Sequence, residues 1–189
     1  MGHGLEAGET GLKTAMATPP ILRYGDFRLV AKNLPVESFG PELEELVRVL
    51  FETGWRAPGL GLAAPQIGVN LRLAVVDLSV GKDPGARLVL ANPEIVHSQG
   101  RVSLEEGCLS FPGLFTTLVR PKAVQVRAQD EAGRWRELDG EGVLAQAFCH
   151  EVDHLDGVLL VHHLRGLKRR MFVRRVEKMR SVGLWQVEA

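Results

Sequence analysis

Cysteine is scarce in this 189-residue chain. Cys108 and Cys149 lie in different segments, and their spacing excludes a disulfide framework. A reducing compartment is therefore expected, with a core large enough to hold the fold without staples. Long apolar runs are missing too: no stretch approaches the ~20 residues of a membrane span. Nor does a basic start followed by an apolar run open the chain. The first stretch, "MGHGLEAGETGLKTAMATPP", contains no arginine and one lysine against two glutamates, which excludes an Arg-rich organelle-targeting peptide. Residues 1–18 read as a flexible tail, with Met16 an alternative start, and residues 19–189 as one domain. Internal repeats and low-complexity linkers are lacking. A soluble, cytoplasmic protein is the expectation.

Net charge is also absent, since 23 basic residues balance 23 acidic ones, but the charge is unevenly spread. Between Arg165 and Arg180 eight basic residues face Glu177 alone, so this stretch carries +7 and the remainder −7. Two readings stay open: a solvated helix face, or an anchor for a polyanion such as RNA.

From Pro41 onward, Leu43, Leu46, Val47, Leu50 and Phe51 follow the spacing of an amphipathic helix, with proline suited to its first turn. "LRLAVVDL", "RLVLANPEIV" and "KAVQVRAQD" read as strands, and "DEAGRW" as a hairpin turn into a further strand. "EGVLAQAFCHEVDHL" reads as a helix stopped by Gly157, "VLLVHHL" as a short extended return, and residues 167–182 as a last helix ending at Gly183. The fold class expected is α+β: antiparallel or mixed sheets packed around a central helix, with helices at either end.

The chemistry concentrates on that central helix. At ~100° per residue, a four-residue step returns to within ~40° of the same face, so the imidazoles of His150 and His154 can reach one ion. Glu151 is displaced around the helix, placed to handle protons without being a ligand, which is the mechanical content of H-E-x-x-H. The alternative is an exposed helix decorated with polar groups. Two ligands are too few for a catalytic metal, which takes three protein donors and leaves one position open. The H-x-x-G-x-x-H continuation fails because position 160 is leucine. Glu177, His162 and His163 are further candidates, as is Cys108 in "LEEGCLSFPG"; Cys149, ~100° away from His150, reads as core packing. "GLGLAAPQIG" (59–68) has small residues that admit a substrate backbone, and Gln66 has an amide able to donate to an oxyanion.

Together these stretches resemble the peptide deformylase family, whose pattern joins G-x-G-x-A-A-x-Q, E-G-C-x-S and H-E-x-D-H in that order. Here they read "GLGLAAPQ" from Gly59, "EGCLS" from Glu106 and "HEVDH" from His150, with flanking similarity in "YGDFRL", "FETGWRAPG" and "ANPEI". The resemblance implies that Cys108, His150 and His154 bind one divalent metal ion and that Glu151 is the general acid/base. It further implies that Gln66 and the Leu109 N–H polarise a formyl oxygen, and that N-formylmethionyl nascent peptides are hydrolysed to formate and a free amine. Fe2+ is the ion expected in the cell, with Zn2+, Ni2+ or Co2+ as substitutes. Gly59, Leu60, Gly61, Leu104, Glu106, Val143 and Ala147 are the expected substrate contacts.

Asp153 is expected to hold a structural partner, Arg120 or a ligand imidazole. The expected state is a monomer that binds neither membrane nor DNA, with the ribosome as a partner through the basic C-terminal helix. Two rivals remain at this point. One is a zinc endopeptidase indifferent to Cys108→Ser; the other is a catalytically silent, ribosome-associated protein with a structural metal.

Overall fold

The computed structural model describes residues 18–185. The tail expected over residues 1–18, with Met16, lies outside the described residues except for Thr18. In chain order the elements are α1 (Pro41–Arg56), β1 (Gly61–Ala63), β2 (Leu73–Val76), β3 (Leu88–Gln99), β4 (Val102–Gly107), β5 (Phe115–Arg120), β6 (Ala123–Gln129), β7 (Trp135–Glu141), α2 (Val143–Leu155) and α3 (Gly166–Ser181). Five strands form a sheet in the order β1-β2-β3-β6-β7, and β4 pairs with β5 in a separate ribbon. Every pairing between these strands is antiparallel. The class is α+β, as the pattern of elements implies.

Around β2 the sheet is buried from both sides. Leu73 and Val75 of β2 point to α1, where they meet Val47, Leu50 and Phe51; Ala74 and Val76 point to α2 and meet Phe148 and Leu155. A strand covered on both faces needs no polar alternation, and all four residues of β2 are buried. Helix α1 starts on Pro41 with Glu42 and Glu44 in its first turn, where acidic groups complement the unpaired N–H ends. Its stripe of Leu43, Val47, Leu50 and Phe51 faces inward. The β6–β7 hairpin turns at Asp130, whose Oδ1 accepts from the N–H groups of Ala132 and Arg134.

A third cluster lies beneath the ribbon. Phe111, Leu118, Leu160, Val161, Phe172, Val176 and Trp185 pack there, joining α3 to the turn after β4. Here one expectation is corrected: "VLLVHHL" is not an extended return, because Leu160–His163 forms a 3-10 turn. The imidazole closes it, with Leu159 N–H donating to His162 Nδ1 at 2.9 Å and His162 N–H to the Leu159 carbonyl at 2.7 Å. That curl drives Leu160 and Val161 into the core. The β4–β5 ribbon and β1 are additions to the elements read from the sequence.

Candidate active site

Helix α2 divides its faces between two tasks. Ala145, Phe148, Cys149 and Leu155 pack on the sheet, while His150 and His154 face Cys108 after β4 and Glu151 faces Gly61 of β1. The two imidazoles stand one turn apart with ring centroids 4.9 Å from each other. The Nδ1–H of His150 donates to Glu106 Oε1 at 2.7 Å, so its Nε2 is the nitrogen left for a ligand. Cys108 Sγ lies 3.2 Å from His154 Nε2. Among the described residues, Cys108, His150 and His154 form a group whose ligand atoms all lie within 4.8 Å of one another. Tetrahedral donors at ~2.3 Å (sulfur) and ~2.0–2.1 Å (nitrogen) from one ion stand roughly 3.6 Å apart, so the set fits a single divalent metal.

Cys108 is delivered by a tight turn. β4 ends at Gly107, the chain folds back with Phe111 N–H donating to the Cys108 carbonyl at 2.8 Å, and Ser110 N–H points at the sulfur at 3.4 Å. Gln66 arrives from the 3-10 turn Ala64–Ile67. Its Oε1 accepts from Ala63 N–H at 2.9 Å, and its Nε2 donates to Ser110 Oγ at 3.2 Å, with Cys108 Sγ at 3.8 Å. Glu151 is buried, and its carboxylate lies against Gly61, where a Cβ would come within 2.4 Å of Oε1. Glycine is thus required there by close approach. Glu151 Oε2 and His154 Nδ1 are the two buried side-chain polar atoms without a hydrogen-bond partner among the described residues.

Electrostatics separate the two cysteines. Burial opposes ionisation of Cys108, but the neighbouring His154 and His150 outweigh it and bring the thiol down to about 5. Burial alone dominates at Cys149 and pushes it up to about 11, in keeping with core packing. Burial also raises the Glu151 carboxyl to about 7, the range in which a carboxylate exchanges protons near neutrality. Behind His150, the Glu106 carboxylate takes two hydrogen bonds from Arg120, at 2.9 and 2.6 Å. Burial would raise its pKa; Arg120 and His150 overcome that and hold it at about 2. Arg120 also donates to Asp153 Oδ2 at 2.7 Å, and His163 Nε2 lies 2.7 Å from the same oxygen. Of the two partners anticipated for Asp153, the structure has Arg120.

A cavity of about 890 Å³ opens over this group, lined by Gly59, Leu60, Gly61, Gln66, Cys108, Leu109, Val143, Ala147, His150 and Glu151. Leu104 is a correction: the cavity wall takes in β4 only from Glu105 onward and leaves Leu104 out. Glu106 is another. It borders the cavity, yet its oxygens are committed to Arg120, His150 and Gln146 rather than left for a substrate. Glu177, His162 and His163 are exposed and stand apart from the metal-ligand group. Ser110 was legible only as the last letter of "EGCLS"; its contacts with both Gln66 and Cys108 appear once the turn is folded.

The family model of polypeptide deformylases matches residues 18–170. A peptide deformylase of Acidobacterium capsulatum is 48% identical over 170 residues, covering 90% of this chain and all of that protein (100%). Peptide deformylase 2 of Xanthomonas campestris pv. campestris is 44% identical over 169 residues, covering 88% of this chain and 98% of its own length. The crystal structure of a peptide deformylase from Legionella pneumophila superposes with a TM-score of 0.83 at 44% identity, covering 90% of this chain and 99% of that one. With its three motifs brought to one cavity and residues 18–170 matched, the chain belongs to the polypeptide deformylase family.

Proposed function

We propose that the chain removes the N-formyl group from the initiator methionine of newly made polypeptides in the cytoplasm, releasing formate and a free amine. The observation that carries this is the convergence of Cys108, His150 and His154 with the Glu151 carboxylate and the Gln66 amide on one cavity. Cys108, His150 and His154 would hold one divalent ion. When bound, that ion supplies Lewis acidity, which makes water a nucleophile near neutral pH and polarises a carbonyl. Fe2+ is our assignment for the cell on the family resemblance, with Zn2+, Ni2+ or Co2+ able to replace it.

Every other step falls to the protein. Glu151 accepts a proton from the attacking water at its carboxylate and delivers it to the amine nitrogen as the C–N bond breaks. Its burial and raised pKa support both halves of that exchange. The negative charge developing on the formyl oxygen is met by the Gln66 Nε2–H and by the Leu109 N–H, which has no other hydrogen-bond partner among the described residues. Leu60, Val143 and Ala147 offer apolar surface for the methionine side chain, and Gly59 and Gly61 keep the wall low enough for a peptide backbone.

We further assign the basic face of α3 as a dock on ribosomal RNA for a monomeric enzyme. What supports it is that all eight basic residues between Arg165 and Arg180 are exposed. The deciding experiment for the activity is formate release from a formyl-Met tripeptide by anaerobically prepared protein, beside Glu151→Ala and Cys108→Ser, with metal content measured on each. Expected are metal without most of the turnover in the glutamate variant, a loss of about 10²–10⁴-fold, and loss of both in the cysteine variant. No formate from a folded, fully metallated parent would refute the assignment, and metal-replete, active Cys108→Ser would refute the ligand set.

A further inference from the structure

Gln66 has two amide hydrogens and one task, so something must decide which way they point. Its carbonyl end is fixed: Oε1 accepts from Ala63 N–H at 2.9 Å, and reversing the amide would face N–H against N–H. Its nitrogen end is fixed by Ser110. Nε2 donates one hydrogen to Ser110 Oγ at 3.2 Å, and the second is left on the side where Cys108 Sγ lies, at 3.8 Å. Ser110 is wholly buried (0% exposed) and Gln66 nearly so (1%), so water does not compete for these bonds.

Ser110 is itself held. Its carbonyl accepts from Tyr24 N–H at 2.9 Å, and its own N–H points at Cys108 Sγ at 3.4 Å. The segment that supplies Tyr24 also donates Leu22 N–H to the Gln66 carbonyl at 2.7 Å, tying the two turns together. One small residue therefore touches the thiolate of the metal-ligand group through its backbone and the oxyanion donor through its side chain.

We infer that Ser110 is a positioning residue for the deformylation step: its hydroxyl takes one Gln66 N–H so that the other is aimed at the formyl oxygen. This rests on the role given to Gln66 above. A donor that is preorganised stabilises developing charge without reorientation during the reaction, whereas a freely turning amide does not. The direct contact of Ser110 with the sulfur is made by its backbone N–H and not by its hydroxyl.

The test is a double-mutant cycle on kcat, KM and metal content, using formyl-Met tripeptide and the full chain. Ser110→Ala is expected to lower kcat about tenfold, less than the ~10²–10³-fold seen when a whole oxyanion donor is lost, with KM and metal per chain unchanged. The same change made in a Gln66→Ala protein is expected to lower kcat no further. An undiminished kcat in Ser110→Ala, a loss that tracks metal content, or an equal tenfold loss in both backgrounds would each overturn the inference. If Ser110→Ala does not fold, Ser110→Cys, nearly the same shape but a weak acceptor, is read by the same criteria. Parent-like kcat in Gln66→Ala would refute the Gln66 assignment beneath it, a result distinct from any failure of Ser110 alone.

Discussion

Helices α2 and α3 are both rich in polar side chains, yet they obey opposite rules. In α2 eight of 13 residues are buried, and the polar ones among them sit against the metal-ligand group. In α3 the buried residues are Phe172 and Val176, out of 16, and the cationic groups face water. Both buried polar atoms that lack a partner among the described residues, Glu151 Oε2 and His154 Nδ1, belong to α2. The difference teaches where charge is informative. An exposed ion is screened and changes little when altered, whereas a buried one must be answered by a partner, a ligand or a shifted pKa.

The contrast breaks most sharply at the ion network supporting α2. Arg120→Ala leaves Glu106 buried without its main counter-charge, and losing one member of a buried pair costs ~3–5 kcal/mol. Denaturant unfolding should show a loss of that size, and metal retention against a chelator should fall as His150 loses the carboxylate that orients it. A parent-like midpoint would mean that Glu106 has found other partners.

Asp77 sharpens the comparison at intermediate size, because its buried carboxylate is answered by neutral donors. Ser79 N–H, Ser79 Oγ, Gly81 N–H and Trp55 Nε1 all donate to it. Burial acts to raise its pKa, but these hydrogen bonds outweigh it and the net shift is downward. A depressed carboxyl stabilises the fold above its unfolded value of ~3.9, and that stabilisation is lost as pH falls through the folded value. Asp77→Asn presents an amide nitrogen to some of those donors and should cost ~1–3 kcal/mol at pH 7. The gap to the parent should narrow below pH 4 in unfolding measurements; a gap independent of pH would assign the loss to packing instead.

The smallest effect is expected on α3. Replacing Lys168, Arg169, Arg170, Arg174 and Arg175 together by glutamine should change stability by no more than ~0.5 kcal/mol per exposed site and leave peptide turnover within about twofold. Co-sedimentation with ribosomes should be lost. Retained co-sedimentation would remove the reason for assigning the basic face a partner.

Much of this was legible in the sequence because the signals were local. The four-residue step from His150 to His154, the stripe of α1 and the turn chemistry at Asp130 each act within a few residues. What was not legible depends on distant partners. Glu106 reads as a motif residue at the cavity, but Arg120, across the ribbon, claims its carboxylate. Leu104 shares the stretch with the motif, yet the cavity wall begins one residue later, at Glu105. The run "VLLVHHL" suits a strand or a helical turn by composition, and the His162 ring decided between them.

Cys108 and His154 are 46 residues apart, and Gln66 and Cys108 are 42 apart. Neither the two turns nor the helix that deliver them holds a complete site alone, so assembly waits on closing long loops, whose entropy must be overcome before any contact rewards it. A nascent copy of this chain is therefore unable to capture its ion with the Cys108 segment alone: the second half of α2 must emerge and dock first. Metal loading then becomes a late step of maturation, and the ion, binding only the docked form, draws the final folding equilibrium towards completion.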